Sequence, residues 1–115
     1  MTDKVTPSIQ IGRRGLITRR FNFNSNGNNT LVTVASGERI KLYKAILTVS
    51  ADITGEVILY VGSTAVGGIY NPKSGGQYCL MSAFPDHELG SDGEDLICNL
   101  PSGTAVTVNT NYELV

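Results

Sequence analysis

The sequence has no tryptophan, one histidine, two cysteines and four prolines among its 115 residues. With His87 as its only histidine, the chain has little capacity for catalysis that needs a base held beside a nucleophile. No window approaches the roughly 20 apolar residues of a membrane-spanning helix, and the first residues lead into no secretion-type apolar segment. We therefore expect a protein that is not an enzyme, uses no cofactor and contacts no membrane.

The two cysteines, Cys79 and Cys98, both lie in apolar runs. Such positions favour small buried side chains over metal ligands or a catalytic pair. We predict two buried free thiols, with a disulfide as the alternative, because free thiols suit a chain made in a reducing host cytoplasm.

Charge is distributed unevenly along the chain, although the net charge is only −1. Residues 1–44 contain eight basic and two acidic residues, whereas residues 45–115 contain one basic and eight acidic residues. Guanidinium groups and a neighbouring aromatic ring could bind an acidic protein surface or grip nucleic acid. Nucleic acid is the less favoured partner because the second part of the chain is acidic. The predicted partner-binding residues are Arg13, Arg14, Arg19, Arg20 and Phe21.

Short stretches rich in Val, Ile, Leu, Thr and Tyr alternate with Gly, Asn, Asp and Pro clusters from residue 30 onward. This pattern is typical of an antiparallel β domain. We predict strands at residues 30–34, 39–50, 56–61, 77–83, 95–100 and 104–114. The predicted fold is all-β, a single antiparallel β-sandwich that is jelly-roll-like, with an immunoglobulin-like sandwich as the alternative.

Residues 1–29 differ from the rest, with scattered apolar residues, two Arg pairs and an Asn-rich tract. We predict a basic N-terminal arm and an Asn/Gly-rich linker over 1–29, followed by the β-sandwich domain over 30–115. The alternative is that residues 16–23 form an integral strand.

Three strands carry more detailed signals. The last strand alternates, with Val106, Val108 and Tyr112 predicted on one face. Residues 57–61 are apolar on both faces, which predicts a central strand or one covered by another subunit. In residues 39–50 the apolar positions change phase, which predicts a bulge or a change of sheet.

The acidic segment 86–95 concentrates carboxylates around His87. Its spacing does not supply the alternating oxygen ligands of a calcium loop, so no metal site is predicted and a solvated acidic loop is favoured over a cation site.

One segment, Gly37-Glu38-Arg39-Ile40-Lys41-Leu42-Tyr43-Lys44, is followed by Ser74-Gly75-Gly76-Gln77, the loop Phe84-Pro85-Asp86 and closing strands at 96–100 and 104–112. Together they resemble small structural proteins of tailed-phage virions, most like the head decoration, or cement, proteins. The resemblance implies a jelly-roll-like domain on the capsid surface of the virion. It also implies a homotrimer that binds the major capsid protein and has no catalytic residue.

The alternative function is a ligand- or carbohydrate-binding sandwich, for example part of a tail fibre. Sugar platforms usually display aromatic side chains, and Tyr60, Tyr70 and Tyr78 could supply them. The absence of tryptophan counts against this alternative.

Overall fold

The computed structural model describes residues 15–83 and 86–115. Within them the chain forms nine β-strands and no helix. The strands are β1 (Ile17–Phe23), β2 (Gly27–Val32), β3 (Ile40–Val49), β4 (Glu56–Val61), β5 (Thr64–Tyr70), β6 (Gln77–Ser82), β7 (Glu88–Leu89), β8 (Leu96–Leu100) and β9 (Val106–Leu114). They make two packed antiparallel sheets, which confirms the predicted all-β sandwich.

The five-stranded sheet has the order β1-β9-β3-β6, with β7 also paired to β3, and the four-stranded sheet has the order β2-β8-β4-β5. Four of the antiparallel pairs are nested along the chain: β4 with β5, β3 with β6, β2 with β8 and β1 with β9. The first and last strands are therefore neighbours in one sheet.

The core lies between the sheets and is made by the inward-facing positions of each strand. As predicted, Val106, Val108 and Tyr112 on β9 are buried on one face. From the opposite sheet, Val57 and Leu59 are also buried, so β4 contributes the inner half of its doubly apolar sequence. Each such side chain contributes roughly 1.5–3 kcal/mol when fully buried.

The predicted phase change in the long strand is confirmed as a bulge in β3. Its register against β9 shifts between Leu42 and Lys44, so β3 has one extra residue there. The register shift against β6, between Ala45 and Ile46, is an extra residue in β6 rather than in β3. An extra residue in one strand reverses which side chains face the core. Leu42 and Leu47 are therefore both buried despite their odd separation.

The predicted boundary between arm and domain is wrong for residues 17–29. β1 pairs with β9 over its whole length, from Ile17 opposite Tyr112 to Phe23 opposite Val106, and β2 already begins at Gly27. The apolar residues of β1 pack against the core. Local sequence could not show this cover because it comes from a strand about 90 residues away. The remainder of the predicted arm, residues 1–14, lies outside the described residues.

Strand β5 was not predicted because Gly67 and Gly68 resemble a turn. A side chain at Gly67 would overlap the carbonyl oxygen of Leu80, and a Cβ at Gly68 would lie 2.9 Å from the carbonyl oxygen of Val57. Glycine is therefore needed for close approach of backbones rather than for chain reversal. At Gly67 this contact brings β5 against β6 and closes one side of the sandwich.

Candidate interaction surfaces

The outer face of the five-stranded sheet is polar, and we call it the polar face. Three rows of side chains cross β1, β9, β3 and β6 in register. In that strand order the rows are Thr18, Asn111, Lys44 and Ser82; Arg20, Asn109, Ile46 and Cys79; and Asn22, Thr107, Thr48 and Gln77.

Hydrogen bonds link β1 to β9 in every row of the polar face. Asn111 Nδ2 donates to Thr18 Oγ1 over 2.9 Å, and Arg20 Nε donates to Asn109 Oδ1 over 3.2 Å. In the third row, Thr107 Oγ1 donates to Asn22 Oδ1 over 2.7 Å. Cross-strand pairs of this kind add to sheet stability and hold the side chains in defined positions.

The outer face of the four-stranded sheet carries a group of apolar side chains bordered by polar ones, among them Asn99 beside Ile58 and Glu56 opposite Tyr70. Tyr60 lies opposite Ile97 on one side and Ala65 on the other, while Ile58 is two residues along β4. Tyr70, on the same face at the end of β5, is 69% exposed. We call Ile58, Tyr60, Ala65, Tyr70 and Ile97 the apolar patch. It includes the outer half of the doubly apolar segment 57–61, which was predicted to be central or covered.

The structure separates the predicted partner-binding residues. Arg20 lies on the polar face, whereas Arg19 belongs to the opposite face of β1 and its guanidinium lies 4.8 Å from the centre of the Phe21 ring. Phe21 is half-buried and packs against the core, so it anchors the edge strand. Arg13 and Arg14 lie outside the described residues.

The three tyrosines of the alternative hypothesis do not form one platform. Tyr60 and Tyr70 belong to the apolar patch. Tyr78 is on the other sheet opposite Leu47, and its hydroxyl accepts a hydrogen bond of 2.8 Å from the Lys73 backbone N–H.

The acidic loop uses its carboxylates to hold a neighbouring segment. Asp92 Oδ1 accepts from the N–H of Gly37 and Asp95 Oδ1 accepts from the N–H of Val34, both over 2.7 Å. Among residues 15–83 and 86–115, no three His, Cys, Asp or Glu side chains converge as a metal site. The ring of His87 packs edge-on against Tyr43, with 5.7 Å between ring centroids.

The two cysteines are free and lie in different environments. Cys98 faces the core, as predicted, and burial raises the pKa of its thiol to about 12. Cys79 is exposed on the polar face, so its predicted burial is wrong. Its apolar neighbour Leu80 is buried, whereas Cys79 falls on the outward position of strand β6.

An open groove of about 390 Å³ lies where β1 and β3 end and β9 begins. It is lined by Asn22, Phe23, Asn24, Thr48, Val49, Ser50, Ala105, Val106 and Thr107. These residues come from three separate parts of the chain, and no motif in the sequence indicated that they would meet.

Comparison of the chain with protein-family models, curated proteins and solved structures found no match. In the described part of the chain, no helix has the length and apolar character needed to cross a bilayer. The surfaces described above are therefore the basis for a functional proposal.

Proposed function

We propose that this protein is a structural component of a tailed-phage virion, a head decoration protein that binds the major capsid protein and stabilises the head as a homotrimer. The apolar patch is the observation that carries the proposal. It places Tyr60 against Ile97 on an outer surface, where an apolar cluster with a polar rim marks a contact site. The resemblance of segment 37–44 and the later strands to decoration proteins indicates that this contact would be made on a phage capsid.

The strand order supports a jelly-roll topology for this domain. Four nested antiparallel pairs are what a long hairpin produces when it is rolled into two sheets. Jelly rolls occur in viral capsid proteins and in lectins. Fold alone does not decide function, so the topology supports a capsid role only by analogy.

We assign the apolar patch to contacts between copies of the chain. A ring of three copies can cover the outer side of β4, where Ile58 and Tyr60 are half-buried within one copy. The same contact would place three capsid-binding surfaces on one trimer. Several weak attachments held together give strong retention without one large interface.

We assign capsid attachment to the edge of the five-stranded sheet. β1 pairs only with β9 in the described residues, so its other edge has no neighbouring strand there. Its two arginines project on opposite sides of that edge and suit an acidic capsid surface.

Co-sedimentation with empty phage heads tests the assignment. We expect wild-type protein to bind and to raise the melting temperature of the heads, and binding to weaken as salt screens exposed charges beyond about 10 Å at 0.1 M. A variant with Arg19→Ser and Arg20→Ser should bind several-fold more weakly. The control is Lys73→Ser, which removes an exposed positive charge from a different loop.

Two results would contradict the proposal. Wild-type protein that fails to sediment with heads at low salt would remove the decoration function. Equal weakening by Lys73→Ser would show that total charge, rather than the β1 edge, controls attachment.

A further inference from the structure

The short connection between β1 and β2 contains the only Asn-Gly pair of the sequence, Asn26-Gly27. It carries the chain from the five-stranded sheet to the four-stranded sheet, because β1 ends at Phe23 and β2 begins at Gly27. The side chain of Asn26 is exposed and makes no hydrogen bond within residues 15–83 and 86–115. Its amide is therefore open to water, and no group in that part of the chain holds it in place.

Gly27 leaves room beside the peptide bond that follows Asn26. A Cβ placed on Gly27 would meet no atom within 4 Å. The φ angle of Gly27 is 90°, in the region that glycine adopts without steric cost. The backbone at the Gly27 nitrogen therefore has no side chain of its own and no close neighbour on that side.

The other asparagines of the chain lack one or both of these features. Of the nine asparagines, only Asn24 and Asn26 have side chains without a hydrogen bond in the described part of the chain. Asn24 is followed by Ser25, which carries a side chain beside the corresponding nitrogen. The seven with hydrogen-bonded side chains are Asn22, Asn28, Asn29, Asn71, Asn99, Asn109 and Asn111.

An exposed amide next to an unhindered peptide nitrogen can react with it inside the chain. The Gly27 nitrogen attacks Cγ of Asn26, the Cγ–Nδ2 bond breaks, and ammonia leaves with the proton of the Gly27 N–H. The product is a five-membered cyclic imide. Water then opens one of its two C–N bonds, giving aspartate when the bond to Cγ breaks and isoaspartate when the main-chain bond breaks. The first step needs no second molecule, because both groups belong to adjacent residues.

We propose that Asn26 is a self-modification site, which converts through this imide to aspartate and isoaspartate in the folded protein without an enzyme. Water is the only co-reactant, and either product adds a negative charge to the connection between the sheets. The site goes beyond the decoration function and does not depend on it.

The two products should differ in their effect on the fold. Asn29 Nδ2 donates to the carbonyl oxygens of Ser25, over 2.8 Å, and Gly27, over 3.1 Å. These two bonds bracket Asn26. Isoaspartate would carry the main chain through Cβ and Cγ and so add one atom between the bracketed carbonyls, whereas aspartate keeps the original main chain. Isoaspartate should therefore loosen the start of β2.

The test is incubation of the purified full-length protein at pH 8, with samples taken over several days. Peptide mapping by mass spectrometry locates the change from amide to acid, an isoaspartate-specific methyltransferase detects isoaspartate, and released ammonia is measured. We expect both products at residue 26, an equal amount of ammonia, and no change at the other eight asparagines. The rate in the folded protein should lie within an order of magnitude of the rate in concentrated urea.

Matched variants then assign the reaction. Asn26→Gln keeps an exposed amide but would need a six-membered ring, so ammonia release should be lost. Asn24→Gln makes the same change at the other unbonded asparagine of the connection and should release ammonia as the wild type does. Asn26→Asp supplies the aspartate product alone and should keep the wild-type melting temperature, whereas aged protein rich in isoaspartate should melt lower.

Each outcome decides for or against the site. Conversion at residue 26 that is lost in Asn26→Gln supports it. Equal ammonia release by Asn26→Gln, conversion at another asparagine of the folded protein, or conversion only in urea would each overturn it. Failure of head binding in co-sedimentation would leave these results unaffected, so the two proposals can fail separately.

Discussion

The two outer faces of the sandwich are built from strands of the same kind and yet present different chemistry. On the polar face, side chains from β1 and β9 hydrogen-bond to each other in all three rows, at 2.7 to 3.2 Å. On the other face, Tyr60, Ile97 and Ile58 form an apolar cluster. On the polar face, the side chains of β1 and β9 supply hydrogen-bond partners to each other. The apolar patch gains free energy only when another surface excludes water from it.

In the proposed assembly the two faces have different parts. The polar rows make one face compatible with water, whereas the apolar patch would supply the contact between copies.

Removal of the strand that supplies one side of the polar face should have the largest effect. A variant lacking residues 1–23 loses β1, which exposes the side of β9 that it covers and removes the core contacts of Phe21 and Phe23. We expect loss of the cooperative melting transition measured by circular dichroism. A variant lacking residues 1–14 keeps every described strand and should melt as the full chain does. An unchanged transition without β1 would show that this strand is dispensable.

A charge in the apolar patch should disrupt association between copies. Tyr60→Asp places a carboxylate between Ile97 and Ala65, and burying it in a subunit contact would cost several kcal/mol. We expect light scattering to give a trimer for the wild type and a monomer for the variant at about 10 micromolar. Ser82→Asp, which places the same charge at an exposed position of β6 on the polar face, is the control and should remain trimeric. A monomeric wild type would contradict the assignment of the patch.

The two thiols report on the outside and inside of the sandwich. Cys79 should react with a thiol reagent in the folded protein at pH 8, whereas Cys98 should react only after unfolding. Burial raises the pKa of Cys98 from 9.0 to about 12. Between pH 9 and 12 the unfolded thiol therefore ionises while the folded one stays protonated, so the free energy of unfolding falls as pH rises.

Replacing Cys98 with Ala removes that pH-dependent contribution. The difference in unfolding free energy between wild type and Cys98→Ala should therefore narrow from pH 8 to about pH 11, measured by urea denaturation. Cys79→Ala provides the control and should not change the pH dependence in this way. Fast labelling of Cys98 in the folded protein would contradict the described core.

Two threonines on opposite faces of β9 should show the smallest effects. Thr110 is 0% exposed, and its hydroxyl donates to the carbonyl oxygen of Arg19 over 3.1 Å. Thr110→Val should lower the free energy of unfolding by about 1 kcal/mol, because the buried hydrogen bond is lost. Thr107→Val on the polar face should cost less, since water can replace its bond to Asn22. A larger loss at Thr107 in urea denaturation would reverse this order.

The amino-acid pattern was sufficient to predict the class of fold and much of its detail. Alternation in residues 104–114 predicted β9 and its buried face, and the phase change in residues 39–50 predicted an irregular β3. The doubly apolar segment 57–61 predicted a central strand or one covered by another subunit, and β4 lies between β8 and β5 in its sheet. These features depend on local periodicity, which a sequence contains directly.

The tertiary structure alone decided the remaining features. Arginines and asparagines around β1 resembled an arm, and only pairing with β9 showed that its apolar residues are covered. Gly67 and Gly68 resembled a turn, whereas the structure shows a close approach of β5 to β6 at Gly67 and to β4 at Gly68. The groove joins Asn22, Thr48 and Thr107, which come from three distant segments. Contacts between distant segments leave no local periodicity, so the sequence by itself could not reveal them.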